Sequence, residues 1–172
     1  IYACNGILFN HESPRRGETF VTRKITKALS RIDLKLQTIL EIGNLDSKRD
    51  WGHAKDYVEM QWRMLQQEKP EDYVIASGKQ ISVRTFIELC AKELSWGGIE
   101  WEGKGAEETG RRKDNGDLVV KVNSKYYRPS EVDSLIGHAE KAFKKLNWTP
   151  TIPLNQLIKE MIIHDKNEAK KD

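Results

Sequence analysis

The chain has 172 residues, of which 29 are Lys or Arg, 26 are Asp or Glu, and 38% are hydrophobic. This length allows one domain, or one domain and part of another, and excludes several domains in series. Both signs of charge alternate along the sequence and leave a net charge of only +3. Proteins that bind nucleic acid concentrate positive charge on one face, so the composition disfavours a nucleic-acid partner.

The sequence also disfavours a membrane protein and a disulfide-bonded or zinc-bound one. It contains no run close to the ~18 consecutive apolar residues that a membrane-spanning helix needs. Cys4 and Cys90 match no metal or redox spacing. We therefore expect a protein of the reducing cytoplasm, with no metal site and no membrane contact.

The first third of the chain predicts two strands and two helices. Residues 1–9 (IYACNGILF) form an apolar run of the strand type, followed by a polar loop at residues 10–18 and a helix with Thr19 as its N-cap. Residues 39–42 predict a second strand, and residues 46–51 a charged loop that leads into a helix from about His53. Because a domain rarely begins inside a core strand, we expect this chain to be part of a longer one.

The remainder predicts shorter strands and three more helices. Ser82 is expected to cap an amphipathic helix that follows a strand at residues 73–76. Residues 97–115 are rich in Gly and charge and predict a mobile excursion, flanked by strands at residues 99–101 and 118–122. Helices follow near residues 139–146 and from residue 154. This alternation predicts an α/β fold with a largely parallel sheet, together with a smaller α+β lobe.

The chain lacks the sequence motifs of a self-sufficient nucleotide enzyme. No glycine-rich phosphate-binding fingerprint follows the first predicted strand. None of the five tyrosines is followed four residues later by a lysine, and no Ser-His-Asp elbow or His-Glu-x-x-His helix occurs. We therefore assign no catalytic residue to this chain.

Three segments could instead bind an anionic ligand. The segment NHESPRRG (residues 10–17) lies between a strand and a helix, where open α/β sheets hold their ligands, and its arginines offer planar forks for phosphate. KRDWGH (residues 48–53) and YYRPSE (residues 126–131) also combine arginine with aromatic groups. Each segment has a structural alternative: a solvated loop for the first, an Arg49–Asp50 surface pair for the second, and a stiff turn for the third.

Taken together, these segments resemble the GDP-mannose 4,6-dehydratases, a family of the extended short-chain dehydrogenase/reductase superfamily. The similarity covers nearly the whole chain. It rests on NGILFNHESPRRG (residues 5–17), FVTRKI (20–25), GNLDSKRDWGHAKDYVEMQW (43–62), YYRPSEV (126–132) and LNWTP (146–150). The resemblance implies that residues 1–172 are a C-terminal portion, in which late elements of a Rossmann-like sheet alternate with a substrate-binding lobe. The half with the glycine fingerprint and the catalytic groups would then be absent.

The resemblance also implies an activity and a set of contacts. In this family, NADP takes hydride from C4 of mannose, water is eliminated across C5 and C6, and hydride returns to C6. The product, GDP-4-keto-6-deoxymannose, is a precursor of GDP-fucose. By position, the NADP contacts would be His11 and Arg16, and the GDP-mannose contacts would be Asn10, Lys24, Arg49, Arg128 and Glu131. Family members assemble as dimers or tetramers.

A second hypothesis from a different class remains open. The chain could be a non-catalytic module that keeps the sugar-nucleotide pocket without chemistry. The mass of the native polypeptide distinguishes the two, because the module begins near Ile1 whereas the enzyme requires about twice this length.

Overall fold

The structure is a computed structural model that describes residues 1–127 and 132–171. It contains helices and short, mostly parallel strands, so the predicted α/β class is confirmed. The chain divides into two compact units. The first consists of Ile1–Ser13, Lys48–Ile81 and Ser134–Leu157, and the second of Pro14–Ser47, Ser82–Asp133 and Ile158–Asp172.

The first unit is built on parallel strand pairs. Strand β1 (Gly6–Leu8) pairs with β5 (Tyr73–Ile75). Strand β4 (Lys48–His53) lies between β2 (Asn10–Glu12) and β10 (Ser134–Leu135) and also pairs with β6 (Gln80–Ser82). The register joins Asn10 to Trp51 and His11 to Gly52. Because β2 and β4 run parallel, residues of two of the predicted binding segments lie side by side.

Helices α2 (Ala54–Met64) and α4 (Glu140–Leu146) complete the first unit. They bury an apolar cluster made of Tyr57, Met60, Met64, Tyr73, Ile75, Ala142 and Trp148. His53 is the N-cap of α2, and its Nδ1 accepts a hydrogen bond from the Lys55 amide at 3.0 Å. The helix predicted to start near His53 is therefore confirmed, with a side-chain cap that satisfies one of its free amides.

The second unit has a mixed four-stranded sheet in the order β3 (Leu40–Ile42), β9 (Leu118–Val122), β8 (Thr109–Arg112), β7 (Ile99–Glu102). Strand β3 is parallel to β9, and the last three strands are antiparallel. Helices α1 (Val21–Asp33) and α3 (Val83–Glu93) pack against each other. Helix α5 (Leu154–Ala169) contributes its residues from Ile158 onward to this unit.

Four local predictions were wrong. Residues 10–12 and 48–51 form strands instead of loop, because strand pairing stabilises segments that carry no period-two hydrophobic pattern. The strand predicted at residues 99–101 is present as β7, but the predicted mobile excursion at residues 97–115 also contains β8, and the Trp101 indole donates to Glu88 of α3 at 2.9 Å. Phe20, whose ring cannot accept a capping hydrogen bond, occupies the N-cap position predicted for Thr19. The Ser82 cap is confirmed, since its hydroxyl accepts from the Thr85 amide.

Two lysines of α4 bind one carboxylate of the first unit and lead to a pH prediction. Lys141 and Lys145 lie 2.8 and 2.6 Å from Glu71, and their hydrogen bonds hold the pKa of Glu71 at about 2, below its ordinary value of 4.5. A depressed folded-state pKa stabilises the fold above pH 4.5, and this contribution is lost as the pH falls through 2. We expect Glu71→Gln to lower the melting temperature near neutral pH and to match the wild type near pH 2. Glu68→Gln is the matched charge control, and a deficit that persisted in acid would contradict the prediction.

Among residues 1–127 and 132–171, no helix is both long and apolar enough to cross a membrane. Within the same ranges, no group of three or more His, Cys, Asp or Glu side chains is arranged to hold a metal ion.

Candidate functional site

Strands β2 and β4 carry three of the predicted site residues into the first unit. Asn10 and His11 lie on β2, and Arg49 lies on β4. The Asn10 amide donates to the Asp50 carbonyl at 3.4 Å, and the Arg49 Nη1 donates to the Lys48 carbonyl at 2.9 Å. All three predicted residues are half-buried. The two strands therefore bring together two substrate candidates and one cofactor candidate.

The His11 ring has a defined orientation. Its Nδ1 lies 3.0 Å from the Phe9 carbonyl, and because a carbonyl only accepts, Nδ1 carries the proton. In the neutral ring, Nε2 is then an acceptor. The ring centroid lies 5.4 Å from that of Tyr57, which is fully buried and makes an edge contact with Trp148. The imidazole is thus packed against the apolar cluster on one side, and its tautomer is set by the backbone.

Gly52 explains how Tyr57 reaches this position. A Cβ at residue 52 would lie 2.4 Å from the Tyr57 Cε2, which is far inside contact distance. Burial and the charges of Asp50 and Glu12 raise the pKa of the Tyr57 phenol, so this group stays protonated across the physiological range. The glycine of the WGH segment therefore has a packing role beneath the His11 ring.

Asp50 anchors β4 and was missed by sequence reasoning. Its side chain is fully buried and accepts from the backbone amides of Ser77 and Gly78 at 2.9 Å and of Gly137 at 3.2 Å. It also accepts from the Ser77 hydroxyl. The surface-pair alternative for Arg49 and Asp50 is therefore wrong for Asp50. The clue available in the sequence was an acidic residue directly before Trp51, inside a segment otherwise predicted to bind anions.

The second unit carries two further predicted residues, Arg16 and Lys24. The Arg16 guanidinium lies over the Phe20 ring, 3.6 Å from its centroid. This arrangement holds one face of the planar fork against an aromatic ring. Lys24 lies in α1, with its Nζ 3.4 Å from the centroid of the Tyr126 ring. Both cations are thus held against an aromatic ring.

Lys24 also lines a cleft of about 480 Å³ in the second unit. This volume falls in the range of roughly 300–1,000 Å³ that is usual for small-molecule sites. The charged and aromatic lining side chains are Glu18, Lys24, Lys27, Arg31, Glu41 and Tyr126. Partial burial lowers the pKa of Lys24, and the Glu41 carboxylate opposes this shift. The cleft therefore presents mixed charge beside an exposed ring.

Gly43, in the same unit, packs closely against the backbone of Tyr126. A Cβ at this glycine would lie 2.4 Å from the Tyr126 carbonyl oxygen, a backbone atom that cannot swing away. Arg128 and Glu131, the remaining predicted substrate contacts, lie outside the described residues. The structure thus describes five of the seven predicted positions: three in the first unit and two in the second.

Comparison with known proteins identifies the family. Residues 1–161 match the family model described as GDP-mannose 4,6 dehydratase. The chain belongs to this family. Curated relatives include GDP-mannose 4,6-dehydratases of Yersinia enterocolitica (53% identical, covering 99% of this chain), Caenorhabditis elegans (56%, 96%) and Homo sapiens (53%, 96%). The resemblance read from the sequence motifs is therefore confirmed, and all seven predicted positions fall within the matched range.

The matched relatives are longer than this family member. The chain spans 48%, 43% and 44% of the lengths of the Yersinia, Caenorhabditis and human proteins. Solved structures share its fold at low identity. The RMD protein of Pseudomonas aeruginosa, in complex with NADPH, has a TM-score of 0.76 at 21% identity over 95% of this chain and 48% of its own. A dTDP-glucose 4,6-dehydratase of Bacillus anthracis, in complex with NAD, has a TM-score of 0.70 at 16% identity, over 96% of this chain and 45% of its own.

Proposed function

We propose that this chain works as part of a GDP-mannose 4,6-dehydratase, which converts GDP-mannose to GDP-4-keto-6-deoxymannose for the synthesis of GDP-fucose and related deoxysugars. The observation that carries the proposal is its identity of 53–56% with dehydratases of that name, across nearly the whole chain. The range matched by the family model, residues 1–161, includes the segments that bear the predicted contacts. The chain then supplies substrate binding and part of a cofactor site within a polypeptide about twice as long.

The residues of the chain fit an NADP site. When bound, NADP supplies the reversible hydride transfer that the reaction requires. His11 would accept from a cofactor hydroxyl through Nε2, because the Phe9 carbonyl already engages Nδ1. Arg16 would donate to a cofactor phosphate from the edge of its fork, while its face packs on Phe20. A packed imidazole and a stacked arginine cost little entropy to order on binding, which supports the proposed roles.

The proposed substrate contacts match the negative charge of the GDP-mannose diphosphate. Arg49 and Arg128 would grip the diphosphate, since planar guanidinium forks match phosphate oxygens in pairs. Asn10 and Lys24 would contact the sugar nucleotide from β2 and α1, and Glu131 would accept from its hydroxyl or amine donors. Bringing the diphosphate to fixed donors would hold the hexose in one orientation for reaction. The general acid and base are expected outside this chain.

The proposal also covers the domain organisation, the oligomeric state and the cellular compartment. Strands β1 and β5 of the first unit would be late strands of a Rossmann-like sheet, and the second unit would be the substrate-binding lobe. Their parallel pairing supports this assignment. The working protein would be a cytoplasmic homo-oligomer, either a dimer or a tetramer.

The test uses the protein purified from its natural source. We expect an intact mass near twice that of this chain, a bound dinucleotide, and release of GDP-4-keto-6-deoxymannose from GDP-mannose. A protein with the mass of this chain alone that bound GDP-mannose without turnover would overturn the proposal. That result would favour the non-catalytic binding module instead.

Arg16→Ala tests the cofactor assignment directly. In the full-length enzyme, we expect the purified variant to lose most of its bound NADP, because a charged hydrogen bond to phosphate is worth about 1.5–3 kcal/mol. The measurement is the dinucleotide released on denaturation, per mole of protein. Arg15→Ala, which changes the neighbouring arginine, is the control and should retain NADP. A full cofactor complement in Arg16→Ala would show that the assignment is wrong.

A further inference from the structure

A buried ion pair joins helices α1 and α5 in the second unit. Arg23 of α1 is 7% exposed and Asp165 of α5 is 2% exposed. The Arg23 Nε and Nη2 each lie 2.8 Å from the Asp165 Oδ1, and the Thr26 hydroxyl donates to the Oδ2 at 2.7 Å. Both carboxylate oxygens are therefore engaged, and the Arg23 fork is held in one orientation.

The remaining edge of the Arg23 fork holds the segment that carries Arg16. Its Nη1 donates to the backbone carbonyls of Pro14 and of Arg16, the latter at 3.2 Å. These carbonyls belong to the connection that precedes α1, where the chain would otherwise be free to move. The Gly17 carbonyl accepts from the Phe20 amide at 3.1 Å and closes the turn into the helix. Asp165 thus orients Arg23, and Arg23 fixes the backbone from which the Arg16 side chain extends.

We infer that Arg23 is a positioning residue for Arg16, and that Asp165 acts through it. This inference rests on the proposed function, since it concerns the arginine assigned to NADP. Isolated burial of an arginine and a carboxylate is expensive, and a well-packed apolar pair is often as stable. An apolar pair could not also donate to two loop carbonyls. The direct contact with the carbonyl of residue 16 therefore gives the ion pair a role in placing the phosphate fork.

Lysine is the substitution that separates charge from geometry. Arg23→Lys keeps the positive charge facing Asp165 but offers one compact ammonium in place of a planar fork, so it cannot serve the carboxylate and both carbonyls together. Arg84→Lys is the matched control in the same unit. Arg84 also forms a partly buried ion pair, with Glu108, but the carboxylates of Glu108 and Asp46 are its hydrogen-bond partners.

The experiment is a double-mutant cycle on NADP affinity. Cofactor-stripped full-length enzyme is titrated with NADP by calorimetry in four forms: wild type, Arg23→Lys, Arg16→Ala and the double variant. We expect Arg23→Lys to weaken NADP binding about tenfold in the wild-type background, and by less than about twofold when Arg16 is already alanine. Arg84→Lys should leave the NADP affinity unchanged even where it lowers the melting temperature.

Each result has one meaning. A wild-type enzyme that failed to bind NADP would overturn the proposed function. If the wild type binds NADP, the positioning role alone is overturned by either of two results. The first is that Arg23→Lys weakens NADP binding equally in both backgrounds, and the second is that it does not weaken NADP binding at all. Thr26→Val is tested in the same cycle, because it removes the hydrogen bond from Thr26 to Asp165 without changing the Arg23 residue itself. If Arg23→Lys does not fold, a loss for Thr26→Val that disappears in the Arg16→Ala background supports the inference, and any other pattern contradicts it.

Discussion

Asp50→Ala is expected to lower the free energy of unfolding by about 3 kcal/mol, because several donors would lose their buried acceptor at once. The Asp50 carboxylate accepts from the amides of Ser77, Gly78 and Gly137, and it is fully buried. Removing it leaves these amides facing an apolar methyl group. Urea denaturation followed by circular dichroism measures the change.

Two companion variants sharpen the Asp50 result. Asp50→Asn keeps one acceptor oxygen but turns an NH₂ group towards a donor, so we expect an intermediate loss. Glu140→Ala removes an exposed carboxylate paired with Lys144 and should change the stability by less than about 0.5 kcal/mol. An Asp50→Ala protein as stable as Glu140→Ala would contradict the anchoring role.

Arg49→Ala in the full-length enzyme is expected to weaken GDP-mannose binding by about 10- to 100-fold, which corresponds to the loss of a charged, paired contact with phosphate. The side chain extends from β4 directly beside the Asp50 anchor, so its starting point is fixed. Calorimetric titration with GDP-mannose measures the affinity, and titration with GDP isolates the diphosphate contribution.

The controls for Arg49 distinguish a direct contact with the diphosphate from a general effect of positive charge. Arg111→Ala removes an exposed arginine of β8 that donates to the Gly116 carbonyl, and it should leave the affinity unchanged. Arg49→Lys should fall between wild type and alanine, because an ammonium binds phosphate as a point charge and not as a fork. An Arg49→Ala enzyme with wild-type affinity would refute the diphosphate role.

Local sequence signals predicted the elements whose stability is local. The periodic apolar residues of α3 and the Ser82 hydroxyl predicted that helix and its cap, and both are present. The prediction of a loop at residues 46–51 failed at β4, because residues 46–50 are all charged or polar. Strand β4 is stabilised by pairing with β2 and β10, which come from sequence positions far before and after it. No window of sequence contains such partners.

The candidate site, like the fold, was predictable from the sequence only in part. Arginine, histidine and asparagine could be recognised as candidate ligands from residue type and motif alone. The proton on Nδ1 of His11 could not be predicted, because the Phe9 carbonyl fixes it only after β2 has formed. Nor could the stacking of Lys24 on Tyr126, whose partners are about a hundred residues apart in the sequence.

The sequence by itself determined the family of this protein, through segments such as NHESPRRG and KRDWGH, whose residue types predict contacts with a phosphate-bearing ligand. It also determined the amphipathic helices, since their apolar spacing is a property of one segment. Only the tertiary structure decided that Asp50 is a buried anchor and that Arg23 serves Asp165 and the Arg16 carbonyl together. The physical reason is that a buried polar group is stable only with partners, and partners up to 142 residues away are supplied by the fold.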